Sequence, residues 1–397
     1  MAAIAIPFLL TAGQKCVTRM AKIARHDRSR SGYYRFLSDG KWRMNSFFKC
    51  LFDIIVQAFA LKKITLVLDD TLRPKWGKKI FATGNFYDHT ARPRPGYIWG
   101  HNWVVLAIVV RLGGLGYVAL PFWVSLYRSE DGCPPEKFKT RHQLAQEGLR
   151  LARSWFSGAI TLLADGAYNN KRISDAAAEL KMTFISRLRS DARLRKPKPP
   201  ERKNGIRGRK PKHGPWLPKL SALACRTSEF RTETVDIYGK TVTLLVREII
   251  AYWPAVDKIL KVVITRDPKR PKRVAYLSST DISMSAKQVV ESFAQRWTIE
   301  QLFSVAKNQM GFDSAEVRKE RSVVRHAALC MAMITFVEVW AKKCGGRLSH
   351  GTFSVKLAKA REDAVEETIF ASGPRRKGRR QIAKAARELF STAMCAA

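Results

Sequence analysis

Residues 62–71 read Lys-Lys-Ile-Thr-Leu-Val-Leu-Asp-Asp-Thr. A short apolar run of β-branched residues and leucine, bounded by charge, is the pattern of a buried strand. The two aspartates that close it, Asp69 and Asp70, stand where such a strand emerges at the sheet edge. A second stretch of the same kind, Gly-Ala-Ile-Thr-Leu-Leu-Ala-Asp-Gly-Ala-Tyr at 158–168, ends in Asp165 followed by glycine. Between them, apolar runs at 98–112 and 114–127 meet at the turn signal Gly113-Gly114 and predict a hairpin, and residues 140–156 carry helical periodicity. Strands, then a helix, then a strand, with acids at two strand ends, predict a mixed α/β sheet.

Working outward, residues 1–61 read as a basic helical entry domain, with apolar residues three and four apart in 31–38 and 44–60. Residues 62–190 form the first part of the core. At 191 the composition shifts: ten Lys/Arg and two acids stand among prolines and glycines between Asp191 and His213, an extended basic arm. Strand chemistry returns at 241–253, 258–266 and 273–280, so 191–282 is a basic arm with a β-rich insertion. Ser285, with Gln288 three residues on, forms a capping box and opens a helix running to Gly311 within a second part of the core, 283–345. There, Ala327–Trp340 reads as a buried helix covering the sheet; it is too short for a bilayer and carries Glu338. Residues 346–397 are a basic C-terminal region.

The chain of 397 residues holds 72 Lys and Arg against 33 Asp and Glu, a formal charge of +39. Self-repulsion of that size is expected where a polyanion is the partner, nucleic acid before an anionic membrane, and the basic clusters do not lie on a clear amphipathic helix. With 46% hydrophobic and 10% aromatic residues the chain has material for a packed core, which excludes a disordered basic tail protein. Seven scattered cysteines without a Cys-x-x-Cys pair argue against a zinc ribbon or a disulfide framework and for a reducing, cytoplasmic, nucleoid-associated setting. No membrane span and no signal peptide are expected.

Asp69 or Asp70, Asp165 and Glu300 are the candidate catalytic and metal-binding acids. Carboxylates at strand ends meeting one from a helix make an oxygen cage for divalent ions, and two Mg²⁺ about 3.5–4 Å apart can drive an in-line phosphoryl displacement. Phe293, Arg296, Glu300, Phe303 and Lys307 fall at offsets that place them on one helix face. Alone, an Arg and a Glu four apart are more often a solvated surface pair.

Together these stretches resemble a DDE transposase of a bacterial insertion sequence, in the cut-and-paste branch with the signature Tyr-x2-Arg-x3-Glu-x6-Lys. Here it reads Phe293-x2-Arg296-x3-Glu300-x6-Lys307, with Phe in the Tyr place, and Leu-Val-Leu-Asp-Asp-Thr at 66–71, Ala-Asp-Gly-Ala-Tyr at 164–168 and residues 276–283 resemble the flanking words. The resemblance implies a ribonuclease-H-like core whose acids bind two Mg²⁺ or Mn²⁺, with double-stranded DNA of transposon ends and target as substrate and a homodimer on paired ends. It favours Asp69 over Asp70, because Thr71 then holds the Thr place of an Asp-x-Thr pattern; both stay candidates. It also implies that Arg296, Lys307 and Tyr168 touch phosphates near the cut, while Phe293 keeps a stacking surface without a hydroxyl. Some relatives trap a flipped base on a Trp of the insertion, and Trp216 and Trp253 stand in that region.

The remaining DNA-binding candidates are basic. Lys75, Lys78 and Lys79 lie directly after the first acids and could hold the substrate strand there. Arg207, Arg209 and Lys210 sit on a Gly/Pro arm suited to a minor groove or a phosphate backbone. Arg375, Arg376, Lys377, Arg379 and Arg380 grip DNA or merely solubilise a tail. His101 has no second His or Cys at ligand spacing and reads as a core or turn residue, and Asp281 as a turn or cap residue.

Overall fold

The structure, a computed structural model, describes residues 7–11, 15–23, 30–88, 96–113, 116–197 and 212–372. Three helices, α1 (Val17–Ile23), α2 (Arg30–Ser38) and α3 (Met44–Ala58), precede β1 (Lys63–Pro74). Then come β2 (Gly84–Asp88), β3 (Gly96–Leu112), β4 (Gly116–Tyr127), α4 (Arg141–Trp155), β5 (Ala159–Ala164), α5 (Lys171–Glu179) and β6 (Met182–Arg187). The later part holds α6 (Leu220–Cys225), β7 (Arg231–Ile237), β8 (Lys240–Trp253), β9 (Lys258–Asp267) and β10 (Arg270–Ser279). It ends with α7 (Ala286–Ala294), α8 (Thr298–Asn308), α9 (Glu320–Cys344), α10 (Gly346–Ser349) and α11 (Phe353–Ser372).

β1 lies between β3, antiparallel to it, and β5, parallel to it; β6 continues parallel to β5, and β4 hairpins back along β3. Three antiparallel strands followed by two parallel to the first, with helices packed over them, is the ribonuclease-H-like core. Leu66, Val67 and Leu68 are fully buried, as are Leu162, Leu163 and Ala164 beside them, because helices cover the sheet on both sides; a strand buried on both faces carries a continuous apolar run rather than an alternating one. α4 opens on the capping box of Thr140 and Gln143, and α7 on that of Ser285 and Gln288, each supplying acceptors for otherwise orphaned N–H groups. α9 passes the length and hydropathy of a membrane span, yet its apolar residues from Ala327 to Ile334 are buried against the sheet and helices of the protein, as expected for a covering helix.

One feature adds to the sequence reading and another departs from it. The strands between 191 and 282 join the sheet of the core: β10 pairs with β6, and β9, β8 and β7 follow, so one ten-stranded sheet runs through both among the described residues. The insertion does keep a hydrophobic cluster of its own around Leu194, Leu220, Leu223, Val262 and Ile264. The signature helix is also not continuous. A 3-10 turn at Gln295–Trp297 separates α7 from α8, and the Thr298 hydroxyl donates to the Gln295 carbonyl at 2.8 Å. Such back-bonding tightens and bends a helix, so offsets counted across it do not describe one face, and Phe303 is buried.

The N-terminal segment is stitched to α9 by buried polar contacts. Lys15 donates its Nζ to the carbonyls of Phe8, at 2.8 Å, and Thr11, while His326 Nε2 donates to the Lys15 carbonyl at 2.8 Å. Burial, reinforced by Arg361, lowers the Lys15 pKa to about 7 from 10.5. A folded-state pKa below the unfolded one means that the unfolded chain binds more protons between those values, so this residue makes stability rise with pH from about 7 towards 10.5. Thermal midpoints measured across that range should climb for the wild type relative to Lys15→Met; parallel curves would reject the assignment.

Candidate active site

β1 and β5 are in parallel register up to Leu68 beside Ala164. β5 ends there, so Asp165 stands just past a strand end and level with Asp69; β1 runs on to Pro74 with Asp69 still paired to Val105, so Asp69 and Asp70 do not close their strand as the sequence suggested. Because side chains alternate along a strand, Asp69 and Asp165 share a face while Asp70 takes the opposite one. The contacts agree. Asp69 Oδ2 accepts from Arg296 Nη1 at 3.2 Å, and its Oδ1 from the Asp70 amide at 2.9 Å. Asp70 instead faces Arg141 at the start of α4, 3.0 Å away, and accepts from the Tyr168 hydroxyl at 3.0 Å. Asp165 Oδ1 accepts from the Ala167 amide at 2.8 Å, while its carbonyl accepts from the Ser186 hydroxyl at 2.9 Å, fixing the strand end against β6. Glu300, in the first turn of α8, is reached through Arg296, whose second terminal nitrogen donates to its Oε1. The guanidinium lies 5.9 Å from the centre of the Phe293 ring. Arg296 thus spans Asp69 and Glu300, drawing together residues more than two hundred positions apart.

Burial, with repulsion from Asp165 and Asp70, pushes the Asp69 carboxyl up to about 7, and Arg296 only partly offsets it. Tyr168 is pushed well above the ordinary phenol value by burial, then by Asp70 and Asp69. A half-buried carboxyl beside another acid, with a third one helix turn from its arginine partner, is the all-oxygen donor set that Mg²⁺ or Mn²⁺ takes, so the residues fit divalent ions in kind. The three acids do not stand as the expected cage, however: among the described residues no three acids, histidines or cysteines are placed to hold an ion. The physical reason is Arg296, which supplies the positive charge to Asp69 and holds Glu300 at its own far side.

Other candidates are placed differently from expectation. Lys75 turns inward: its ammonium pairs with Asp313 Oδ1 at 2.8 Å and donates to the Asp313 carbonyl, so it anchors the end of β1 to the turn after α8 and does not present its charge at the surface as expected. Tyr168 is 1% exposed, its hydroxyl engaged by Asp70, and it positions that acid instead of offering itself to a phosphate. Lys78 and Lys79 are exposed, on the loop that carries Trp76, 95% exposed. Lys307 is half-buried on α8, its pKa lowered by burial and then by Arg73. Trp216 is partly exposed under the guanidinium groups of Arg193 and Arg195, and Trp253 packs against the insertion's own cluster. His101 is a buried residue with both ring nitrogens 2.8 Å from oxygens, of Asp313 and of the Phe81 carbonyl. Asp281 accepts from the Ser283 amide at 2.9 Å, a turn contact. Arg207, Arg209, Lys210 and Arg375 to Arg380 lie outside the described residues. Arg141 and Asp313 were not singled out from the sequence; neither belongs to a spacing pattern, and only the fold brings them to Asp70 and Lys75.

A family model described as DDE superfamily endonuclease matches residues 1–242. The chain belongs to the DDE superfamily endonuclease family. No curated protein matches it. The matched stretch contains Asp69 and Asp165 and ends inside β8, ahead of Glu300. Membership gives this DDE endonuclease a nuclease or transposase type of chemistry, on DNA and dependent on divalent metal, which accounts for its excess of 39 positive charges.

Proposed function

We propose that this DDE endonuclease is the transposase of an insertion element, of the branch with the Tyr-Arg-Glu-Lys signature. It binds the element's terminal repeats, cuts the phosphodiester backbone, and joins the freed 3′ hydroxyl to target DNA, acting as a homodimer on two ends. Asp69, Asp165 and Glu300 are its catalytic acids. The observation that carries this reading is the placement of Asp69 level with Asp165 on neighbouring strands, directly after the register Leu68 beside Ala164, with Arg296 bonded to both Asp69 and Glu300 of the signature.

When bound, divalent ions supply an activated water and charge neutralisation at both the attacking and the leaving oxygen. The chain's own residues do the positioning. Asp70, held by Arg141 and Tyr168 on the opposite face of β1, fixes the strand beside Asp69 so that Asp69 keeps its orientation towards Asp165. Arg296 is the mobile charge: with DNA in place its guanidinium exchanges carboxylates for phosphate oxygens, a geometry it suits as a bidentate donor. Lys307, further along α8, takes a backbone phosphate beyond the cut.

The test is incubation of purified protein with a fragment carrying both element ends, with Mg²⁺ and separately with EDTA, and sequencing of every product. Cut ends joined to new sites, present only with Mg²⁺, are expected. Cutting without joining would leave a nuclease, and binding without cutting a DNA-binding protein derived from one.

A further inference from the structure

After Pro74, where β1 ends, the chain projects as a short loop before it turns back into the core. Both ends of that loop are pinned. On one side the Lys75 amide donates to the Trp99 carbonyl at 2.9 Å, while its ammonium is held by Asp313. On the other the Phe81 amide donates to the Arg318 carbonyl at 3.0 Å, and Ile80 and Phe81 pack against the core. Only the residues from Trp76 to Lys79 stand out between these fastenings.

Of the ten tryptophans in the chain, Trp76 is 95% exposed and the next, Trp216, 49%. An indole left in water on a pinned loop adds nothing to the core, and a ring of that size finds its use against an apolar or π surface supplied from outside. Lys78 and Lys79 beside it are exposed and form no ion pair among the described residues. The neighbouring segment adds no net charge, because Arg318 and Lys319 stand between Glu316 and Glu320. The loop thus offers one planar apolar ring and two ammonium groups, which a duplex meets with its base steps and its phosphates.

The loop also lies on a line from the acids. Arg296, just ahead of α8, bonds to Asp69, and Asp313, past the end of α8, holds Lys75. α8 therefore runs over the sheet in the direction of β1 and covers the face between. Its outward residues Gln301, Ser304 and Asn308 are exposed, three and four positions apart, and uncharged, which leaves short polar side chains for a duplex to rest on. Trp76 is seven residues beyond Asp69, at most about 23 Å of extended chain, or up to about seven base pairs of duplex.

We infer that the loop of Trp76, Lys78 and Lys79 is a second DNA-binding site, at which the indole wedges into a base step of the duplex away from the cut while the two ammonium groups hold the flanking phosphates. It rests on the proposed reading only for which acids mark the cut. A second copy of the chain is the other occupant that an exposed ring admits. The unpaired lysines favour the polyanion, because another chain of charge +39 repels them.

The experiment measures binding by fluorescence anisotropy in EDTA, so that no cutting intervenes, using a labelled blunt duplex and the same duplex with a mismatched central step. A wedge spends less on a step that is already weakly stacked, so the wild type should bind the mismatched duplex about fivefold more tightly. Trp76→Ala should abolish that preference, and Trp76→Phe should keep most of it. Lys78→Met combined with Lys79→Met should retain the preference but lower the slope of log affinity against log salt by about two on both duplexes, with melting curves confirming the fold. Trp76→Ala keeping the wild-type preference, or an unchanged salt slope for the double variant, would overturn the site. So would a Trp76→Ala protein that binds both duplexes like the wild type but sediments differently without DNA, which would give the ring to a contact between copies. Loss of these binding differences with joined products intact in the assay above would strike this site alone. Absence of cutting, with the differences intact, would remove the transposase reading and keep the site.

Discussion

Asp165→Asn should reduce DNA cleavage by about a thousandfold or more while leaving DNA binding within about twofold of the wild type. The substitution keeps the shape of the side chain and one oxygen, so the contact from the Ala167 amide to Oδ1 survives. What it removes is the negative charge beside Asp69, and with it one of the two neighbouring carboxylates that would hold a divalent ion. Charge stabilisation by such ions is worth several kcal/mol at the transition state, and each 1.36 kcal/mol is tenfold in rate. The stability readout separates this from misfolding. Asp165 is one of the groups that force the Asp69 carboxyl upward, so deleting its charge relieves repulsion, and the melting temperature should hold or rise, as is common where a functional site is built at the expense of stability. Glu300→Gln should behave alike in cleavage, and it also frees Arg296 from one of its two carboxylates. Cleavage by Asp165→Asn within tenfold of the wild type would take this residue out of the site.

How far these residues could be read from the sequence depended on how local their determinants were. The strand leading up to Asp69, the hairpin at Gly113, the helix capped by Thr140 and the helix opened by Ser285 are set by apolar runs, turn residues and caps within a few positions, and each was legible; the continuation of β1 past the acids to Pro74 was not, because it rests on pairing with β3. The choice between Asp69 and Asp70 was not: alternation guarantees opposite faces without saying which faces the second acid, and only the register with β5 decides it. Arg296 showed its spacing to Glu300 but not its bond to Asp69, 227 positions away. Lys75 was misread because Arg73–Lys79 looks uniformly basic along the chain; its partner, Asp313, lies 238 positions on. Non-local pairing of charges is set by tertiary packing, for which the sequence carries no periodic signal.

That same pairing yields the largest expected stability effect. Asp313 is buried in a turn after α8 and receives Lys75 Nζ at 2.8 Å on one oxygen, with His101 Nδ1 at 2.8 Å and Trp103 Nε1 at 3.0 Å on the other. One carboxylate thus fastens the end of β1 and the middle of β3 to the segment leading into α9. Its backbone has a φ of 56°, a region in which Asn is enriched over other non-glycine residues, and Asn keeps the shape of the side chain, so Asp313→Asn isolates the charge. Removing one partner of a buried ion pair leaves the other uncompensated, at a cost of about 3–5 kcal/mol, and Asp313→Asn should lower the melting temperature by several degrees. Adding Lys75→Met should recover part of that loss, because the stranded ammonium goes with it. His101 and Lys75 hold the Asp313 carboxyl below its ordinary range against the effect of burial. A depressed carboxyl contributes its stability above the unfolded value near 4 and loses it as pH falls through the folded one, so wild type and Asp313→Asn should converge in stability below that point. Equal melting temperatures at pH 7 would show that the carboxylate is not the fastening. With the fastening loosened, β1 and β3 lose their fixed relation to the segment that follows α8, the helix carrying Glu300, so cleavage by Asp313→Asn at permissive temperature should fall although no acid of the site has been touched.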